Sequence, residues 1–406
     1  MARFESSRTL FDICETHPEV VSVFVSNGFP QMSDPEKRQA FGKQITLGQA
    51  LALKGLDPAV FAGLLDAALA RAAGLCESGL KHEAAAEIEV TGLLPCPVRV
   101  PLLEEFEGFV ATLASEQGTR VNYELKAASQ GLDWMGHRLE GPADDLPDVF
   151  LSAGFDMFFD RQRFGRFRDA GVFEDLVSYQ GVNPLFADVG LRDPRKTYSV
   201  IAAVPAVFLV NLDELGERPL PRRWSDVLSP EFEQRVSLPV GDFDLFNAIL
   251  VNIFKAYGDE GVRRLGRSLL ESMHPSQMVR SGKKEGARPI VTIMPNFFTK
   301  MVREGSGMQA VWPEDGAITS PVFMLTKKSK AGELQPLVDF FAGKAAGEIM
   351  AHKGLFPSLH PEVDNRMGSG LPFLWPGWDW LDSQDIGGLI RHGMQVFEQA
   401  LLEVSA

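Results

Sequence analysis

The side chains able to do covalent or acid–base chemistry are scattered along this chain. Cys14, Cys76 and Cys96 stand far apart, and no Cys-x-x-Cys pair exists to hold zinc or exchange disulfides. Of the seven histidines (His17, His82, His137, His274, His352, His360 and His392) none lies three or four residues from another. That spacing would put two imidazoles on one helix face for a metal. His17, His274 and His360 each precede proline, which suits loops and helix ends. Glu104, Glu105 and Glu107 fall within one helical turn and read as a solvated face rather than an acid and base pair. There is no G-x-x-x-x-G-K-[ST], no G-x-S-x-G and no H-E-x-x-H. Gly305-x-Gly307-x-x-Ala310 resembles a dinucleotide fingerprint, but it follows a helical pattern and precedes a strand, the reverse of what a pyrophosphate needs. Cys96, between Pro95 and Pro97 at a strand end, is the one thiol placed to act as a nucleophile. The chain is therefore expected not to be an enzyme and to carry no metal or cofactor. An enzyme using Cys96 stands as the alternative.

The elements that would position these residues fall into two textures. In the first 76 residues, Thr9 with Asp12 reads as a helix cap and His17-Pro18 as its end. Thr46 with Gln49 forms a capping box, and Asp57-Pro58 starts a further helix carrying Val60, Phe61, Leu64, Leu65, Ala68 and Leu69 on one face. This is a small all-α domain. Residues 77–88 lack an apolar face and read as a partly helical linker. Beyond them short apolar runs alternate with helical patterns, the signature of an α/β domain. Strands are expected at Ile88–Leu94, Asp148–Leu151, Arg235–Pro239, Ile290–Ile293, Ala310–Pro313 and Ala317–Thr326. Val200–Val210 reads as one long buried strand bent at Pro205, or two strands. Helices are expected over Val100–Leu113, from about Asp156, from Phe243 to a stop near Gly258, and from Asn296. Residues 334–352 read as a single amphipathic helix with Leu334, Leu337, Val338, Phe341, Ala345 and Ile349 on one face and Gly354 ending it. Asp364–Asp385 reads as irregular surface pinned by Trp375, Trp378 and Trp380.

With 406 residues, 45% of them apolar, the chain can build two or three cores. Forty basic residues against 54 acidic ones give a formal charge of −14. That balance argues against a nucleic-acid partner, which needs a basic footprint, but leaves room for a small anion in a local field. The longest apolar run is too short to cross a bilayer. Glu5, Ser6, Ser7, Arg8 and Asp12 interrupt any secretory signal. As written the chain reads as cytoplasmic, or periplasmic if translation starts elsewhere.

Three stretches resemble the iron- and thiamine-type bacterial periplasmic solute-binding proteins, the two-crossover class. The first is AVPAVFLVNLDELGERPLPRRWSDVLSPEFEQRVSLP, with Asn211, Leu215, Pro221, Trp224, Leu228, Pro230 and Glu231 at the matching positions. The second, AVWPEDGAITSPVFMLTKKSK, looks like the return crossover and its Pro-x-x-Gly turn. The third, DFFAGKAAGEIMAHKGLFPSLHPEV, is similar to the family's late helix and following loop. The resemblance covers about residues 89–400. TLFDICETHPEVVSVFVSNGF and ITLGQALALKGLDPAVFAGLLDAAL resemble a separate family of small helical domains of unknown function, whose members often carry cysteines where this chain has Phe29-Pro30-Gln31.

The resemblance implies a two-lobed periplasmic-binding-protein-like (type 2) fold. Its expected bounds are lobe one at about 89–202 and 318–406 and lobe two at about 211–310, with hinges near 203–210 and 311–317. A small organic or anionic solute would sit between the lobes, held by amides at helix starts. The candidate loops are Pro95–Val98, Ser152–Phe155, Gly241–Phe243 and Pro295–Phe298. The named contacts are Cys96, Pro97, Ser152, Ala153, Gly154, Phe155, Asp242, Phe243, Asn296 and Phe297, with Ser152 foremost. Ferric-binding relatives use adjacent tyrosines where this chain has Asn296-Phe297-Phe298, so a phenolate iron site is not expected. A membrane permease, or a protein bound through the N-terminal domain, is the implied partner. A cytoplasmic sensor or adaptor is the remaining alternative.

Overall fold

The computed structural model describes all residues except 1–3, 27–28, 55–57, 59–60, 63–64, 66–78, 129–132, 156, 241–242, 273–287, 301, 303–304 and 406. The N-terminal module contains helices α1 (Leu10–Thr16), α2 (Val21–Ser26), α3 (Pro35–Gly42) and α4 (Leu47–Lys54). Both expected caps form. The Thr9 hydroxyl accepts from the Asp12 amide at 3.1 Å, and Thr46 and Gln49 bond reciprocally at 3.0 and 3.3 Å. Leu10, Ile13, Phe24, Phe29 and Leu51 close a core that also holds Phe61 and Leu65, two positions of the expected third face. Most of that segment lies outside the described residues.

Cys14 is fully buried in this core, and burial pushes its thiol up to about 12. The thiolate fraction at pH 8 is then about one in ten thousand. Iodoacetamide at pH 8 is expected to leave Cys14 unmodified in the native protein and to label it after denaturation. Peptide mapping that finds Cys14 alkylated in the native state would refute the burial.

The linker departs from expectation. Instead of a helical piece, Leu80–Lys81 forms β1, an antiparallel partner of β3 (Val121–Ala127). Gly79 makes this possible: its φ is +103°, and its carbonyl accepts from the Leu125 amide at 2.8 Å.

The α/β part begins with β2 (Ile88–Leu94), which passes directly into α5 (Cys96–Gln117). Pro95 sits at the N-cap, and Pro97 is the second residue of the helix, where a missing N–H costs nothing. Then follow β3, β4 (Val149–Ala153), α6 (Arg161–Asp169) and the 13-residue β5 (Ser199–Asn211). After β5 come α7 (Leu212–Leu215), α8 (Trp224–Val227), β6 (Val236–Leu238), α9 (Phe243–Ser268), β7 (Leu269–Ser272), β8 (Val291–Pro295) and α10 (Asn296–Thr299). The chain returns through β9 (Met308–Val311) and β10 (Ala317–Thr326) to α11 (Ala331–Phe341), α12 (Lys344–Lys353), β11 (Phe373–Leu374), α13 (Trp378–Ser383) and α14 (Ile386–Ser405).

The strand order is β1-β3-β2-β4-β10-β5-β8-β6-β7, with β9 beside β5 and β11 beside β10. β2 runs parallel to β3 and β4, and β6 runs parallel to β7 and β8. These are two parallel halves, tied by antiparallel β5 and β10. The Val200–Val210 segment is one strand, buried along its whole length. Its first part, Ser199–Ala206, pairs with β10, and its second part, Ala206–Asn211, pairs with β8 and β9. Pro205 falls at the change. On that edge the Ala203 amide bonds the Pro357 carbonyl at 3.0 Å, and β8 takes over from Ala206. Proline lacks the N–H that would face the gap, so a residue normally excluded from central strands is tolerated here.

Two expected elements need correction, and the glycine stop between them holds. Residues 334–352 form two helices, α11 and α12, broken at Ala342-Gly343. Gly343 approaches the Asp339 carbonyl too closely for a Cβ, and the second helix buries Ala346, Gly347 and Met350 while Ala345 is exposed. The helix from Phe243 breaks at Gly258, as expected: that glycine has φ +61° and non-helical backbone, and a second helical run then continues to Ser268. Residues 364–385 are largely irregular, as expected, but include α13, with Trp375 and Trp378 buried.

Candidate functional site

Each half ends its parallel strands beside the crossing of β5 and β10, and helices begin there. β4 closes on Ala153, whose Cα partner is Val322, itself opposite Ala202 of β5. Gly154 then turns with φ +79° and donates its amide to the Pro321 carbonyl at 2.7 Å. This turn meets the first turn of α9 directly. A Cβ on Gly154 would lie 2.6 Å from the Cα and the carbonyl oxygen of Asp244. Ser320 Oγ donates to the Asp244 carbonyl at 3.0 Å, and Asn247 Nδ2 donates to the Phe155 carbonyl at 2.9 Å. Two polar bonds and one close backbone approach thus hold the first half to the second at this edge.

The opposite edge is apolar. Val98, in the first turn of α5, and Phe356 both pack on Gly354, whose Cβ would overlap them. The Phe356 ring lies 6.5 Å from that of Phe297 in α10. Phe297 and Phe298 are buried at 2% and 7% exposure, with their rings perpendicular at 5.0 Å. Thr299 Oγ1 bonds the Asn296 carbonyl at 2.7 Å, and Asn296 itself is half-buried.

A model of the bacterial extracellular solute-binding proteins matches residues 144–384, more than half the chain. The chain belongs to that family. A second model, a domain of unknown function (DUF1858), matches residues 6–61 and gives the N-terminal module its relatives. Among solved structures, the solute-binding protein is similar to the periplasmic binding protein AfuA of Actinobacillus pleuropneumoniae, which was solved with fructose-6-phosphate. The TM-score is 0.52 at 14% identity, over 78% of this chain and 99% of that one. The ferric binding protein of Campylobacter jejuni matches with TM-score 0.51 at 12% identity, over 77% and 99%. The substrate binding protein of an ABC transporter from Agrobacterium tumefaciens matches with TM-score 0.51 at 14% identity, over 76% and 95%. These likenesses establish the two-lobed fold. Comparison with curated proteins finds no match. The family consists of transport-associated binding proteins, and its description as extracellular does not support the cytoplasmic expectation. Among the described residues no helix is long and apolar enough to cross a membrane.

Of the named contacts, Ser152, Ala153 and Gly154 lie at the end of β4 beside this crossing. Ser152 is fully buried opposite Phe323 within the sheet, and Ala153 is buried beside it. Phe155 is also fully buried, stacked 5.5 Å from Trp375 and edge-on to Phe159 at 5.0 Å, so its ring belongs to the core. Cys96 opens α5 and Pro97 is half-buried. Phe243 opens α9, while Gly241 and Asp242 lie outside the described residues. Asp244, Asn247, Ser320 and Phe356 were not foreseen. Ser320 and Phe356 had a signal, lying in the quoted AVWPEDGAITSPVFMLTKKSK and GLFPSLHPEV stretches. A groove of about 780 Å³ between residues 183–189 and 361–373 shares no residue with the four loops.

Proposed function

We propose that this protein binds a small organic or anionic solute between its two halves and closes on it by bending near 203–210 and 311–317. The observation that carries the reading is β5: one buried strand serves both halves, and α5, α9 and α10 begin beside the point where it changes partners. Amides at helix starts have no intrahelical acceptor and favour an anion. The bounds we propose are 1–76 for the module, 77–88 for the linker, 89–202 with 318–385 for the first lobe and 211–310 for the second. α14 is shared, because it lies along α9 as well as against the first lobe. An ABC-type permease is the partner the family implies, and a place outside the inner membrane is the location it favours. The N-terminal module is assigned to protein docking rather than to the solute. Ferric ion is not the solute we propose, since Phe297 and Phe298 bring no oxygen to a hard cation.

Thermal denaturation against sugar phosphates, organic acids and ferric citrate tests this. At a hundredfold excess over Kd a true ligand adds about 2.7 kcal/mol, or roughly 3–4 °C in Tm for a unit of this size. At least one organic anion is expected to do so, equally in residues 1–406 and 77–406, and ferric ion is not. A panel without any shift, together with native mass spectra free of a bound solute, would overturn the reading. So would a response to ferric ion alone.

A further inference from the structure

α14 grips the two halves in unlike ways. Along α9 the grip is broad and largely apolar. Phe397 meets Phe246 edge-on at 5.1 Å, and Gly266 lies against Ala400 and the Phe397 carbonyl. Glu403 pairs with Arg267 at 3.0 Å and Arg263 at 3.8 Å, and Gln234 donates to the Val404 carbonyl at 3.2 Å. On the first half the grip is shorter: Ile386 is buried beside Phe158, Phe159 and Trp378, and the remaining contacts are polar. Asp160 caps α6, accepting from the amides of Gln162 and Arg163 at 2.9 and 3.2 Å. The same buried carboxylate takes Arg391 of α14 at 2.6 Å, while Gly387 lies so close that a Cβ would overlap it. Gln162 adds a bond to Asp385 at 3.3 Å. Burial pushes the Asp160 carboxyl up, but Arg391 and the two amides outweigh it and hold the pKa below its ordinary value.

Before α14 the chain is fixed to the first half. Asp382 pairs with Arg168 and Arg195, each at 2.8 Å, and the Trp378 indole donates to the Leu191 carbonyl at 3.1 Å. Any rotation of α9 against β4 must therefore drag α14 and be absorbed at its N-terminal end. Apolar packing cannot be exchanged for water cheaply. The Asp160–Arg391 pair is easier to part: the arginine is 53% exposed, and the buried carboxylate keeps the amides of Gln162 and Arg163 when the arginine leaves.

We propose that α14 is a strap whose hold on the first half is a releasable catch, formed by Asp160, Arg391 and Gly387, and that this catch biases the angle between the halves. The inference rests on the two-lobed reading but not on any solute. It is tested on the full chain without ligand, so a failed solute panel and a failed strap are separate results. Three variants open the catch differently. Arg391→Ala removes the cation. Asp160→Asn removes the charge but keeps a good cap for α6. Gly387→Ala leaves both charges and adds a methyl against the carboxylate. Hydrogen exchange is expected to accelerate about tenfold over residues 386–392 in all three, the size of one lost charge-assisted bond, with 396–404 unchanged. Small-angle scattering is expected to give a larger radius of gyration. Unchanged exchange, acceleration spread evenly along α14, or local acceleration with unchanged scattering would each overturn the proposal.

Discussion

Replacing Trp224 with alanine is expected to destabilise the protein by about 4 kcal/mol, in the range for deleting a buried indole. Trp224 is 1% exposed and joins the second half to both crossings. Its ring meets Phe208 of β5 edge-on at 4.9 Å, and its Nε1 donates to the Gly316 carbonyl at 2.9 Å. Its amide donates to Asp315 Oδ2 at 3.0 Å. Gly316 has φ +108° and opens directly into β10, so the ring clamps the return crossing to the outgoing one. Alanine leaves a cavity beside β5 and an unpaired carbonyl at the turn. Trp224→Phe keeps most of the packing and loses the bond, and is expected to cost about 1–2 kcal/mol. Chemical denaturation measures both, and in a thermal scan the alanine variant should fall by roughly 5–6 °C. A Tm within about 2 °C of the parent would mean that the clamp does not exist.

The two segments this clamp joins were legible, because the sequence marks each strongly: the tryptophan after a proline turn and the Pro-x-x-Gly turn before an apolar strand; the contact between them was not. β5 was legible for the same reason, since a strand buried on both faces reads as an unbroken apolar run. Other features were masked by competing signals. In α14, Ile386, Leu389, Ile390, Phe397, Ala400 and Leu401 recur at helical spacing, but Gly387, Gly388 and Gly393 lower helix propensity, and packing along α9 overrides them. The apolar spacing that made 334–352 look continuous passes straight through Gly343, and only the close approach to the Asp339 carbonyl reveals the break. The Ser152–Phe155 turn was found from its strand end and glycine. Its partners, Asp244 and Asn247, stand about ninety residues away and belong to an ordinary-looking helix. A strand end announces a loop, but not which remote helix will cover it, and burial of Ser152 and Phe155 follows from that cover.

The cover itself sets the second large effect. Gly154→Ala is expected to cost about 2–4 kcal/mol, more than the conformational price of a side chain at positive φ, which is about 1–3 kcal/mol. The excess arises because the methyl would meet backbone, the Asp244 Cα and carbonyl at 2.6 Å, and not a side chain that can swing away. Either the turn or the first turn of α9 must retreat, and the Asn247–Phe155 and Ser320–Asp244 bonds go with it. Gly370→Ala separates the two contributions. Its φ is +77°, close to the +79° of Gly154, but nothing lies within 4 Å of its would-be Cβ. It should show the backbone cost alone, with no change in exchange at residues 152–158 or 244–250. Gly154→Ala should show a larger loss in denaturant titration together with faster exchange in both of those segments. Equal costs for the two variants, within about 0.5 kcal/mol, would mean that the halves do not touch at this edge, and the turn after β4 would then be an open wall of the cleft rather than one of its closures.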